Sequence, residues 1–170
     1  MGFFSRLMGG SDEQKTAASE LEILAPVSGE LVHLENTNDP AFSSRAVGDG
    51  VAVVPQEGTV CAPVSGTVAA LFPTEHALGI MSDDSSAQVM LHIGIDTVKL
   101  EGKGFHALVA QGDHVDVGQP LVEVDFDAVR AAGFDPTVFV IVCERSENST
   151  LREHASGPVA VKEPVVWLSE

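Results

Sequence analysis

The feature that most restricts the fold is a succession of short β-branched runs cut by Gly, Pro, Asp and Asn. The runs cover residues 21–24, 31–34, 51–54, 67–71, 89–95, 105–109, 121–124, 138–143 and 164–168. Segments this short, bounded by turn residues at close intervals, make strands, and strands joined by tight turns pair antiparallel. The expected fold is an all-β antiparallel sandwich or barrel. After the first 20 residues only one stretch reads as helix, Asp127 to Ala132, with Gly133 as its stop.

An internal repeat adds pseudo-symmetry. Ala25-Pro26-Val27-Ser28-Gly29 recurs as Ala62-Pro63-Val64-Ser65-Gly66, each copy leading into a strand. Pro-x-Ser-Gly supplies a turn, and the glycine is expected to permit a positive φ before the strand begins. Two copies indicate a pseudo-symmetric β-fold rather than a solenoid, which needs three or more. Gly112 to Leu121 forms a further hairpin-like connection.

The 170 residues suit one domain, 21–170, preceded by an arm, 1–20. Gly9 to Lys15 is polar and loop-like, so the arm is expected to be flexible. Its tip places Phe3, Phe4, Leu7 and Met8 at helical spacing, a pattern open to two readings: a weak membrane-surface helix or a frayed terminus. The chain carries 9 basic and 25 acidic residues, a net charge of −16, which argues against nucleic acid as a partner and is open to two readings, steering towards basic partners or solubility alone. Cys61 and Cys143 lie in apolar strand contexts and read as buried thiols, not as a disulfide framework. Residues 1–10 lack a continuous apolar stretch and a cleavage site, so a reducing cytoplasm is expected.

Of six histidines, His92 stands out. Residues 89–98 alternate with period two. Val89, Leu91, Ile93 and Ile95 are expected to face the core, with Gln88, Met90, His92, Gly94 and Asp96 on the other face. That places an imidazole on a rigid strand, beside a glycine that opens space and a carboxylate on the same face. His76 follows a turn and opens a strand, with Thr74 placed to hydrogen-bond one ring nitrogen and fix the tautomer. Paired across a sheet, His76 and His92 would make a two-histidine site. From the residues alone, a solvated strand histidine, a zinc site using His76, His92 and a carboxylate, and a lipoyl-type carrier built on an exposed lysine all stay open.

Leu91-His92-Ile93-Gly94-Ile95-Asp96-Thr97-Val98 resembles the active-site signature of the glucose-type enzyme IIA family of the bacterial phosphoenolpyruvate-dependent sugar phosphotransferase system. Similar matches are Ile23 to Glu30, Val47-Gly48-Asp49-Gly50, Ala62 to Thr67, Thr74-x-His76-Ala77 and Glu101-Gly102-x-Gly104-Phe105. The resemblance runs from Leu21 to Leu168, and Met1 to Phe4 is similar to the membrane-touching N-terminus of free-standing members. Ala46 and Met90 depart from it, standing where relatives carry larger residues.

The resemblance implies a phosphotransferase component. On this resemblance His92 would accept a phosphoryl group from the carrier protein HPr and give it to the IIB domain of a sugar permease. His76 would stabilise the phosphoryl group and Thr74 would orient His76. Asp39, Phe42, Val47, Phe72, Asp96 and Val98 would form the partner surface, Asp39 and Asp96 as a charged ring and the others as an apolar collar. Other permeases or kinases are implied as regulatory targets of the unphosphorylated form. No cofactor is implied, although His76 and His92 are possible zinc ligands. The implied location is the cytoplasm, at the inner face of the cell membrane.

Overall fold

The computed structural model describes residues 19–56 and 58–170. Fourteen strands follow in chain order. They are β1 (Glu20–Leu24), β2 (Gly29–His33), β3 (Asp49–Pro55), β4 (Thr59–Cys61), β5 (Gly66–Leu71), β6 (Ala77–Ser82) and β7 (Ala87–Ile93), then β8 (Phe105–Ala107), β9 (His114–Val115), β10 (Pro120–Val124), β11 (Val138–Arg145), β12 (Thr150–Glu153), β13 (Gly157–Val159) and β14 (Pro164–Ser169). All pairings are antiparallel. One eight-stranded sheet runs β13-β2-β3-β11-β7-β6-β5-β9, and two three-stranded sheets run β1-β14-β12 and β4-β10-β8. The expected antiparallel β-architecture is present. The arm, 1–20, lies almost wholly outside the described residues, which enter at residue 19 and begin β1 at Glu20.

Among the described residues helix is confined to short pieces. Helix α1 (Pro40–Ser43) is capped by Asp39, whose Oδ1 accepts from Ala41 N at 2.9 Å. Helix α2 (Phe126–Ala131) is the helix expected from the sequence, shifted by one residue. Its cap is Asp125, with Oδ1 accepting from Ala128 N at 3.0 Å.

The main core lies between the large sheet and the two small ones. It gathers Leu31, Val51, Val89, Leu91, Val138 and Val140 from one side and Ile23, Val60, Leu121, Val122 and Val166 from the other. A second, smaller cluster sits on the opposite face of the large sheet: Leu34, Phe42, Ala52, Phe139 and Ile141. Strand β11 is therefore buried on both faces, which accounts for its unbroken apolar run.

The repeat organises the link between the sheets. Pro26 O accepts from Cys61 N at 2.8 Å, and Pro63 O accepts from Leu24 N at 2.9 Å, so each copy bonds the residue before the other. Ser28 Oγ accepts from Val161 N and Ser65 Oγ from Val117 N. The docked turns are also alike: Val117-Gly118-Gln119-Pro120 and Val161-Lys162-Glu163-Pro164. Gly118 (φ +83°) is matched by Lys162 at φ +72°. The pseudo-symmetry thus extends beyond the five-residue motif, where a lysine hides it from sequence comparison.

The repeat glycines serve a different purpose from the expected one. Neither has a positive φ. Each lies where a strand backbone passes too close for a side chain: a Cβ on Gly29 would stand 1.9 Å from Val54 O, and one on Gly66 2.0 Å from Met81 O. Gly112 is the opposite case, at φ +95° with nothing within 4 Å. Gly66→Ala is expected to cost ~3 kcal/mol or more, because two paired backbones must separate. Gly112→Ala should cost only ~1 kcal/mol of left-handed strain. Urea midpoints of the two variants measure the contrast.

Candidate functional site

Strand β7 alternates as the sequence predicts, burying Val89, Leu91 and Ile93 and turning Gln88, Met90 and His92 to the outer face. In register, His92 lies opposite Phe139 of β11 and Ala77 of β6. Phe139 is fully buried and stacks on Phe42 with centroids 4.3 Å apart. The His92 ring tilts against Phe42 at 5.1 Å and stands edge-on to Phe139 at 6.3 Å. The second cluster is thus the apolar wall of the site.

The other wall is the bend between β5 and β6. Glu75 N donates to Phe72 O at 2.8 Å, Glu75 takes a left-handed φ of +61°, and its carboxylate accepts from Ala107 N at 3.0 Å, bracing the bend against β8. This holds His76, 3% exposed, with its ring edge-on to His92 at 5.0 Å between centroids. Ile93 N donates to His76 O at 2.7 Å, tying the two histidine segments together through the backbone. Phe72 stands edge-on to His76 at 5.5 Å. Thr74 Oγ1 lies 2.6 Å from His76 Nδ1, the contact expected from the spacing.

Past Ile93 the chain leaves the strand. Gly94 takes φ +82°, and a Cβ there would stand 2.3 Å from Thr97 Cγ2. The expected open space beside His92 is therefore filled, and glycine is present for the turn and the close approach. The turned peptide presents its carbonyl to His92, with Nδ1 to O at 2.8 Å. A carbonyl only accepts, so Nδ1 carries the proton and the neutral ring keeps its lone pair on Nε2.

Breaking the strand at Gly94 also changes two assignments. Ile95, expected in the main core, packs against the second cluster on the His92 side. Asp96, expected on the same strand face as His92, precedes a 3-10 turn (Thr97–Leu100) at φ +59°. It still acts on the imidazole by its charge, as does Asp39 from the start of α1. Both carboxylates favour a charged ring, yet burial outweighs them and the Gly94 bond, and the His92 pKa falls below 6.5. His76 is pushed further, to about 4, by burial and then by the charge of His92. Both rings are neutral at pH 7.

Of the expected partner-facing residues, Val47, Phe72 and Val98 are 37%, 46% and 49% exposed. Phe42 differs, being only 6% exposed and packed under His92. The sequence reading missed Phe139, Glu75 and the Gly94 carbonyl. For Phe139 a signal existed, since an apolar run without alternation buries both faces of a strand. For the others none did, because both depend on turns that place a peptide or a carboxylate. Among the described residues no group of three or more His, Cys, Asp or Glu is gathered to hold a metal, and no helix is long and apolar enough to cross a membrane.

The chain is similar to the beta-glucoside-specific EIIBCA component of the PTS system of Bacillus subtilis (strain 168), 39% identical over 170 residues, 99% of this chain and 28% of that protein. It is similar to the glucose-specific EIICBA component of Streptococcus pneumoniae serotype 4, 41% identical over 144 residues, 85% of this chain and 20% of that protein. The chain therefore spans between a fifth and under a third of the length of these curated relatives. Among solved structures, glucose permease IIA from Mycoplasma capricolum superposes with a TM-score of 0.81 at 34% identity, covering 88% of this chain and 96% of that one. A family model, phosphoenolpyruvate-dependent sugar phosphotransferase system, EIIA 1, matches residues 21–148, and the chain belongs to that family.

Proposed function

We propose that the chain relays a phosphoryl group: His92 takes it from the phosphohistidine of HPr and gives it to a cysteine of the IIB domain of a sugar permease. The observation that carries this reading is the bond from His92 Nδ1–H to the Gly94 carbonyl. It leaves the Nε2 lone pair as the nucleophile, in a ring kept neutral by burial. In the first step an Nε2–P bond forms as the donor's N–P bond breaks. In the second, a thiolate takes the phosphorus and the lone pair returns to Nε2. Such transfers rest on in-line positioning and charge stabilisation.

His76 supplies the second element. With the Thr74 hydroxyl donating to Nδ1, the neutral ring carries its proton on Nε2 and donates it to the phosphoryl oxygens. The charges acting on His92 are the carboxylates Asp39 and Asp96, which suit a cationic partner surface; an arginine from that partner would balance the phosphoryl charge. Val47, Phe72 and Val98 form the exposed apolar collar that seats the partner and excludes water, with Phe42 supporting His92 from beneath.

Two imidazoles supply half of a zinc ion's four ligands, so zinc at His76 and His92 would need ligands from a partner. Regulatory binding of permeases or kinases by the unphosphorylated form would use the same collar. A cytoplasmic location rests on the reading of residues 1–10 and the two thiols, and weak membrane contact on the arm, 1–20, and the resemblance.

His92→Ala is expected to abolish labelling by phosphorylated HPr, and acid-labile phosphate persisting on that variant contradicts the assignment. His76→Gln should accept phosphate but pass it on roughly 100-fold more slowly, since an amide cannot follow the charge that develops during departure. Rapid-quench transfer to a IIB domain measures this. Acceptance should hold level through neutral pH and fall only at a pH more acid than a free imidazole would give, because protonation consumes the Nε2 lone pair and burial lowers the His92 pKa. His76 also links to stability. Its folded pKa of about 4 lies below the unfolded 6.5, so the stabilisation is complete above pH 6.5 and is lost as pH falls towards 4. Between pH 7.5 and 4.5 the wild type should lose ~2 kcal/mol more than His76→Gln in urea unfolding.

A further inference from the structure

We infer that Asp135 is a positioning residue for His92, acting through the Gly94 peptide. The inference builds on the proposed phosphoryl relay, but its evidence is local geometry. Asp135 stands in the segment before β11, remote in sequence from the signature that contains His92.

Two backbone bonds from the turn after β7 end on this segment. Gly94 N donates to Thr137 O at 2.8 Å, and Ile95 N donates to Asp135 O at 2.9 Å. The orientation of the Gly94 peptide is thus set from the 135–137 side. The other end of that same peptide is the carbonyl that holds His92 Nδ1–H.

The 135–137 segment is in turn closed by the Asp135 side chain. Oδ1 accepts from Thr137 N at 2.9 Å and from the Thr137 hydroxyl, bridging Pro136. Oδ2 accepts from Asn38 Nδ2 at 3.3 Å. Asn38 precedes Asp39, the cap of α1, which carries Phe42 beneath His92. Asp135 therefore reaches both supports of the imidazole: its main-chain carbonyl accepts from Ile95 N of the peptide that fixes the tautomer, and its carboxylate accepts from Asn38 of the loop that carries the apolar wall. Burial raises the Asp135 pKa, but the bonds from Thr137 and Asn38 outweigh it and hold the pKa below the usual value, so the side chain is an ionised acceptor at neutral pH.

Neither support is replaceable from within the segment. Proline 136 offers no N–H, so Thr137 is the nearest backbone donor available to lock the turn. Without the carboxylate, the 135–137 turn loses its closing bonds, and with them the fixed position of the Asp135 carbonyl that holds the Gly94–Ile95 peptide. His92 Nδ1 then loses its fixed acceptor, and the proton exchanges between the two ring nitrogens.

The deciding readout uses the full chain without phosphate, so it stands apart from whether the relay occurs. Long-range 1H–15N correlation of the histidine side chains at pH 7.5 reads the His92 tautomer directly. Wild type should show one tautomer, protonated on Nδ1. Asp135→Ala should show both, and acceptance from phosphorylated HPr should slow ~10-fold, the scale seen when the support of a functional imidazole is removed. Asp135→Asn keeps an oxygen acceptor for Thr137 and should restore the single tautomer. Thr137→Val, which removes only the hydroxyl, serves if Asp135→Ala does not fold, and should give an intermediate mixture. An unchanged single tautomer in Asp135→Ala, or in Thr137→Val where the alanine variant is unfolded, overturns the inference. So does a failure of Asp135→Asn to restore it.

Discussion

Strand β11 is covered on both faces, and that constraint links the core to the site. Val138, Val140 and Val142 complete the interior of the sandwich. Phe139 and Ile141, pointing the other way, seed the second cluster against which His92 rests. An imidazole on the exposed face of a sheet would be bathed in water. Here a buried aromatic pair lies beside it, and the desolvation that keeps the ring neutral follows from the placement of Phe42 and Phe139. Burial wins over two carboxylates and a carbonyl bond, all of which favour the charged ring.

The acidity of the chain and the neutrality of its site are compatible. The chain carries a net charge of −16, yet burial favours the uncharged form of both rings, so under the proposed relay the nucleophile is available at neutral pH in an acidic protein. The site provides geometry, a fixed tautomer and a dry wall. Under the proposed relay, countercharge arrives with each partner, which lets one nucleophile serve a donor and an acceptor in turn.

Much of the fold was legible because alternation and turn residues speak for themselves in an antiparallel sheet. The strand carrying His92, the bend carrying His76 and the contact from Thr74 all follow from spacing. What escaped depends on backbone approach or on left-handed turns. Gly29 and Gly66 look like turn glycines, but they are demanded by the carbonyls of Val54 and Met81, which lie far along the chain. Gly94 ends the alternation two residues before period two would have placed Asp96 on the His92 face. Lys162 in the conformation of Gly118 masks half of the pseudo-symmetry. Asp39, read as part of a charged ring, is also a helix cap, and short helices of four residues leave almost no periodic trace.

The central claim is that His92 presents Nε2 because Nδ1 is committed to the Gly94 carbonyl. Phosphorylating 15N-histidine-labelled protein with HPr and measuring the phosphorus–nitrogen coupling identifies the bonded atom. The account predicts one phosphohistidine, at Nε2 of His92, with Nδ1 still protonated. A coupling to Nδ1, or a phosphoryl group on His76, would contradict it.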